Sequence, residues 1–150
     1  SKIFSTAGDL MFATACCASF DLKRGKILHA NAGHPLPVLV DPDGTMRIAG
    51  VAEPGLGPAL GLFADARYGH DEIDLAPGMR VVFYTDGLTE ARNDEQQEFD
   101  VKGMMDALQA HIADPLPAML DALVRDVMGF TAATVFEDDV CLLAVGYAGS

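Results

Sequence analysis

Two stretches of this chain place carboxylates at the rim of an apolar run. Asp86-Gly87 directly follows residues 80–85 (RVVFYT), and Glu137-Asp138-Asp139 directly precedes residues 140–147 (VCLLAVGY). If both runs are strands and lie antiparallel as neighbours, the end of one meets the start of the other. The carboxylates then converge at one sheet edge, where they repel one another unless a cation or a proton intervenes. Oxygen-only ligands suit hard cations such as Mg²⁺ or Mn²⁺, which keep several waters and need few protein carboxylates. Each motif also has a plainer reading: Asp-Gly after a strand is a common turn, and acidic residues before a strand are commonly solvated.

Other reactive side chains lack a matching partner in sequence. His34 lies in Asn31-Ala32-Gly33-His34-Pro35, between two apolar runs, where its side chain fixes the loop by hydrogen bonds, acts as a base or touches a phosphate. His29, His70 and His111 show no ligand spacing, and no serine sits in a G-x-S-x-G turn. Cys16, Cys17 and Cys141 form no C-x-x-C pair, which argues against a zinc ribbon or a dithiol redox motif. All three lie in apolar runs and read as buried free thiols.

These groups must be positioned by elements, and the chain carries clear signals for them. Residues 12–20 read as a strand, turned at Lys23-Arg24-Gly25 into a second strand over 26–32 (KILHANA). A third run covers 36–40, followed by the turn Asp41-Pro42-Asp43-Gly44 and a return strand over 45–49. Residues 50–61 read as a loop, and 68–75 as a further strand. Residues 80–85 are apolar on both faces, which predicts a central strand. The spacing of 101, 104, 105, 108 and 112 predicts a helix. Asp114-Pro115 breaks it, and a second helix follows over 117–128. Met104-Met105 belongs to helix core. Residues 140–147 close the chain as a strand. Strands, two helices and one strand make an α+β arrangement on antiparallel hairpins with helices on an outer face.

Composition sets outer bounds. With 150 residues, half of them hydrophobic, the chain has the size and the apolar content of one domain. Its formal charge of −12 argues against a nucleic-acid surface and against docking on an anionic membrane. No run is long and apolar enough for a membrane span, and no signal peptide is evident, so the expected location is the cytoplasm.

Taken together, FATACCASFD (12–21), ANAGHPLPVLV (30–40), ALGLF (59–63), LAPGMRVVFYTDGLTEARN (75–93) and DDVCLLAVGY (138–147) resemble the SpoIIE-type branch of the PPM (type 2C-like) metal-dependent serine/threonine phosphatases. The resemblance runs from about residue 10 to 147. It implies an αββα sandwich of antiparallel sheets with flanking helices. It also implies two Mg²⁺ or Mn²⁺ ions in the complete domain, and a metal-activated water that attacks phosphorus directly. On this resemblance Asp86 and Asp138 are metal ligands, with Asp139, Gly87 and His34 in supporting positions. The implied substrate is phosphoserine or phosphothreonine on a STAS-type anti-sigma-factor antagonist. In that setting an upstream sensor or receiver domain governs a bacterial signalling switch.

The family's other metal motif, an Asp-x-x-Gly-His-Gly-like segment, belongs upstream of 12–20, and Gly8-Asp9 does not replace it. The expectation is therefore one partial domain over 1–150, the C-terminal two-thirds with the N-terminal part missing. It should bind metal weakly or not at all and be inactive alone. Uncovered sheet edges would favour a dimer. The alternative is a phosphatase-like module that binds a regulator without catalysis. Two further departures are Asp100 where the family often has Gly, and Cys141 where Thr is usual.

Overall fold

A computed structural model describes residues 12–50, 56–132 and 135–149. The chain forms two compact units, residues 1–36 with 48–77, and residues 37–47 with 78–150.

The first unit holds a four-stranded sheet. β1 (Ala15–Asp21) and β2 (Lys26–Ala32) form the predicted hairpin, paired from Ala15↔Ala32 to Asp21↔Lys26. The turn is made by Asp21, whose Oδ1 accepts the N–H groups of Lys23 and Arg24 at 3.1 and 3.0 Å. Gly25 completes it at φ +61, a conformation that glycine adopts without steric cost. The other edge of β2 is shared. β6 (Asp71–Asp74) pairs antiparallel with Lys26–His29, and the short β5 (Leu56–Gly57) pairs parallel with Asn31 and Ala32. β2 buries Ile27, His29 and Asn31 on one face, the alternation a strand imposes.

The second unit holds the other sheet, in the order β4-β3-β7-β8, and the helices. β3 is Val38–Val40, β4 Met46–Ile48, β7 Arg80–Tyr84 and β8 Leu142–Gly146. β7 is central, as its apolar faces predict: Val81, Val82 and Tyr84 are all buried. It runs antiparallel to β3 (Val38↔Val82) and to β8, from Arg80↔Gly146 to Tyr84↔Leu142. α1 (Asp86–Thr89) is one turn directly after β7; α2 spans Asp100–Ala110 and α3 Leu116–Thr131. α3 starts on a fixed proline, as Asp114-Pro115 and Pro117 suggest. α2 and α3 pack together, and Met104, Leu108, Met119, Leu123 and Val127 on them are essentially without exposed surface. Phe99 and Phe130 meet edge to face at 5.4 Å. The Arg80 guanidinium donates to the carbonyls of Ile112 and Asp114, both at 3.0 Å, and so ties the turn between α2 and α3 to the central strand.

The α+β class is therefore the one expected. Three local expectations change. The loop over 50–61 contains β5, and one strand pairing is parallel. Asp86 does not sit in a turn but opens the short helix α1. The thiols are not buried: Cys17 and Cys141 are exposed and Cys16 is half-buried. Cys17 lies on the outward face of β1, and Cys141 precedes β8. An apolar run on an outer strand does not bury both of its faces.

Candidate metal-binding site

The antiparallel pairing of β7 and β8 fixes the site. Its last pair is Tyr84↔Leu142, so Thr85-Asp86-Gly87 and Glu137–Cys141 emerge from the same end of two neighbouring strands. The strand pairing thus brings the two carboxylate-bearing segments to the same end of the sheet.

Three interactions tie the segments together beyond the ladder. The Thr85 N–H donates to the Cys141 carbonyl at 3.2 Å. The Thr85 hydroxyl donates to the Asp139 carbonyl and accepts the Cys141 N–H, both at 2.9 Å. One side chain thus serves as donor and acceptor to the segment that bears Asp138. Gly87 then lets α1 approach it. A Cβ at Gly87 would lie 2.7 Å from the Asp139 carbonyl oxygen and 3.3 Å from Asp138 Cβ, so only glycine fits. Asp139 contributes chiefly through its backbone carbonyl.

Asp86 and Asp138 are both exposed. One oxygen of each accepts the following residue's N–H, at 3.1 Å from Gly87 and 2.7 Å from Asp139. These short-range bonds fix the carboxylate rotamers. The donor set, two carboxylates with room for water, fits a hard divalent cation in kind. It does not fill a coordination sphere: among the described residues no group of three or more His, Cys, Asp or Glu is placed to hold a metal ion.

A cleft of about 800 Å³ opens beside the site, with Gly87 and Asp138 in its wall. Glu90, Arg92, Glu137 and Phe136 also line it. Arg92 donates to Glu98 at 2.6 Å, across an antiparallel bridge between the two residues. The Glu98 carboxylate raises the Arg92 guanidinium above its usual value, with Glu90 and Glu137 adding to the effect.

His34 belongs to the first unit. Its N–H donates to Asn31 Oδ1 at 3.0 Å, its carbonyl accepts from Asn31 Nδ2 at 2.8 Å, and its ring Nδ1 lies 3.1 Å from the Thr14 hydroxyl. The Asn31 side chain thus brackets the His34 backbone, and the His34 ring itself meets Thr14. Sequence reasoning missed Thr85, Arg92 and the buried His29. Thr85 sat in plain view before Asp86-Gly87, but a threonine ending a strand carries no signal until its partner across the sheet is known.

Residues 1–148 match the family described as Stage II sporulation protein E (SpoIIE). The protein IcfG of Synechocystis is 27% identical over 139 residues, which cover 92% of this chain and 21% of IcfG. The phosphoserine phosphatase RsbP of Bacillus subtilis is 23% identical over 134 residues, covering 89% of this chain and 30% of RsbP. The chain thus spans less than a third of either relative. The SiaA-PP2C domain of Pseudomonas aeruginosa superposes with a TM-score of 0.74 at 24% identity, over 89% of this chain and 51% of that one. The phosphatase domain of Bacillus subtilis SpoIIE, presoaked with Mn, gives 0.70 at 15% identity, over 97% and 62%. No helix among the described residues is long and apolar enough to cross a membrane. By the match over nearly its whole length and by its PP2C-like fold, the chain belongs to the SpoIIE family of phosphatase domains.

Proposed function

We propose that the chain is the part of a metal-dependent protein serine/threonine phosphatase that carries Asp86 and Asp138. The observation that carries this reading is that the segments bearing those two carboxylates leave the same end of the β7–β8 pair and are tied together by Thr85 and Gly87. RsbP, a relative, is a phosphoserine phosphatase, and a SpoIIE phosphatase domain was studied after Mn soaking; both support it.

In this reading Asp86 and Asp138 hold Mg²⁺ or Mn²⁺, and Asp139, through its carbonyl, and Gly87 set their spacing. The bound ions supply charge neutralisation and an activated water for phosphoester hydrolysis. Thr85 keeps the two carboxylate segments in register. The adjoining cleft gives a phosphorylated segment room to reach Asp138. The substrate is phosphoserine or phosphothreonine on a regulatory protein, of the kind represented by anti-sigma-factor antagonists. Two carboxylates hold a hydrated divalent ion weakly, so in this reading a further ligand outside the described residues completes the site.

The absence of a third ligand among the described residues favours one other reading, a phosphatase-like module that binds a regulator without catalysis. Phosphate release from phosphoserine peptides by the full-length natural protein separates the two. Release that requires Mn²⁺ and stops with a chelator supports the enzyme. No release with Mn²⁺ present supports the binding module.

A further inference from the structure

The cleft beside Asp138 has a charge imbalance that a metal ion there does not remove. The carboxylates of Glu90, Asp94, Glu137 and Asp138 line it, and Arg92 is the one cation among its described lining residues. A phosphorylated side chain carries about −1.5 to −2 charge at pH 7. Carboxylate walls repel such an anion unless positive charge meets it. A cation held by Asp86 and Asp138 answers for those two carboxylates and leaves Glu90, Asp94 and Glu137. Arg92 is the residue placed to receive the phosphate.

Its guanidinium is partly engaged. It donates to Glu98 Oε1 at 2.6 Å, and Glu98 is its one hydrogen-bond partner among the described residues. Arginine offers five N–H donors in a planar fork that matches two phosphate oxygens at once. Most of that fork is therefore left for a ligand. The Arg92 and Glu98 side chains are 51% and 44% exposed, so the pair lies in solvent, where ion pairs hold weakly. Glu90 and Glu137, both in the cleft wall, act on the same guanidinium, which sets its charge within reach of the cleft as well as of Glu98.

The plainer role for Arg92 is to latch the loop over 91–99 through Glu98. The loop closes without that latch. The Phe99 N–H donates to the Ala91 carbonyl at 2.8 Å, and the Asn93 N–H to the Gln97 carbonyl at 3.0 Å. Asn93 Oδ1 accepts the N–H groups of Glu95 and Gln97 at 3.1 and 2.9 Å, and its Nδ2 donates to Gln97 Oε1 at 3.0 Å. Backbone pairs and the Asn93 side chain thus hold the turn, and Arg92 is free to exchange one anion for another.

We propose that Arg92 binds the phosphoryl oxygens of the phosphorylated side chain in this cleft, and that the phosphate displaces Glu98 from it. The assignment rests on the phosphatase reading of Asp86 and Asp138 and adds the residue that receives the substrate's phosphate. Arg92 holds that phosphate before and during reaction alike, so its loss raises KM rather than lowering kcat.

The test uses the full-length natural protein and two readouts: calorimetric binding of inorganic phosphate in Mg²⁺, and kcat and KM for a phosphoserine peptide in Mn²⁺. Arg92→Gln should weaken phosphate binding about tenfold or more and raise KM by a similar factor, with kcat within about threefold. Arg92→Lys keeps the charge but loses the fork, and should weaken binding about threefold. Glu98→Gln removes the competing anion and should bind phosphate at least as tightly as the wild type. Circular dichroism checks each fold, and Arg92→Lys carries the test if Arg92→Gln does not fold. A latch predicts equal losses in Arg92→Gln and Glu98→Gln, and that result would overturn the proposal. So would unchanged phosphate affinity or unchanged KM in the Arg92 variants, or no phosphate binding by the wild type. Phosphate binding that depends on Arg92, in a wild type that hydrolyses nothing, would uphold the proposal and defeat the enzyme reading instead.

Discussion

At the scale of single residues, the site depends on two positions that hold no metal. Thr85→Val keeps the shape of the side chain but removes a hydroxyl that satisfies the Asp139 carbonyl and the Cys141 N–H. The expected cost is about 1–2 kcal/mol in urea denaturation, because two backbone groups lose their partner at once. Gly87→Ala forces a Cβ to within 2.7 Å of the Asp139 carbonyl oxygen. It should destabilise the chain by roughly 1–3 kcal/mol, and should impair any metal binding by pushing the Asp138 segment outward. Gly129→Ala is the control. Gly129 lies in α3 with nothing within 4 Å of the added Cβ, so the same change there should stabilise by up to about 1 kcal/mol. Equal effects at the two positions would refute the steric account of Gly87. The placement of Asp86 and Asp138 at one end of a strand pair was legible in the sequence because each is an acid at the rim of an apolar run. Thr85 was not, because its role depends on what lies across the ladder.

At the scale of elements, the strength of the local signal decided what could be read. β7 was legible as central because its residues are apolar on both faces, and α2 and α3 because their apolar spacing persists over several turns. β5 has two residues and α1 has four, too few for any period to show, so both were hidden in what reads as loop. The β2–β6 pairing was hidden too, since it alone places Asp71 beside His29. That pairing has a pH consequence. Burial lowers the His29 imidazole from 6.5, and the Asp71 carboxylate opposes the shift without cancelling it. The groups facing the ring are Cys16 on β1 and Asp71 on β6, and the thiol stays neutral under acid conditions. A histidine held below its unfolded value contributes stability that is complete above pH 6.5. That contribution is lost as pH falls from there through the folded value. The melting midpoint should therefore decline on acidification below pH 6.5, and His29→Gln should flatten that part of the profile. A decline identical in both chains would assign it to other groups.

At the scale of the whole molecule, fold class and family were both legible, because they rest on strings spread along nearly the entire chain rather than on one motif. The completeness of the metal site was not legible from Asp86 and Asp138 alone. The structure brings these two to one end of β7 and β8, and the described residues add no third ligand. Two aspartates on segments that leave the same end of one strand pair offer oxygen ligands to a hard cation. Mn²⁺ should accordingly raise the melting midpoint of the full-length protein, and less so in Asp138→Asn. The most direct test is Mn²⁺-dependent hydrolysis of p-nitrophenyl phosphate by the full-length natural protein, compared with Asp86→Asn and Asp138→Asn. The account predicts that each substitution lowers kcat/KM about 100-fold or more with folding intact, a loss of roughly 3 kcal/mol of transition-state stabilisation. Activity that survives both substitutions unchanged would contradict it.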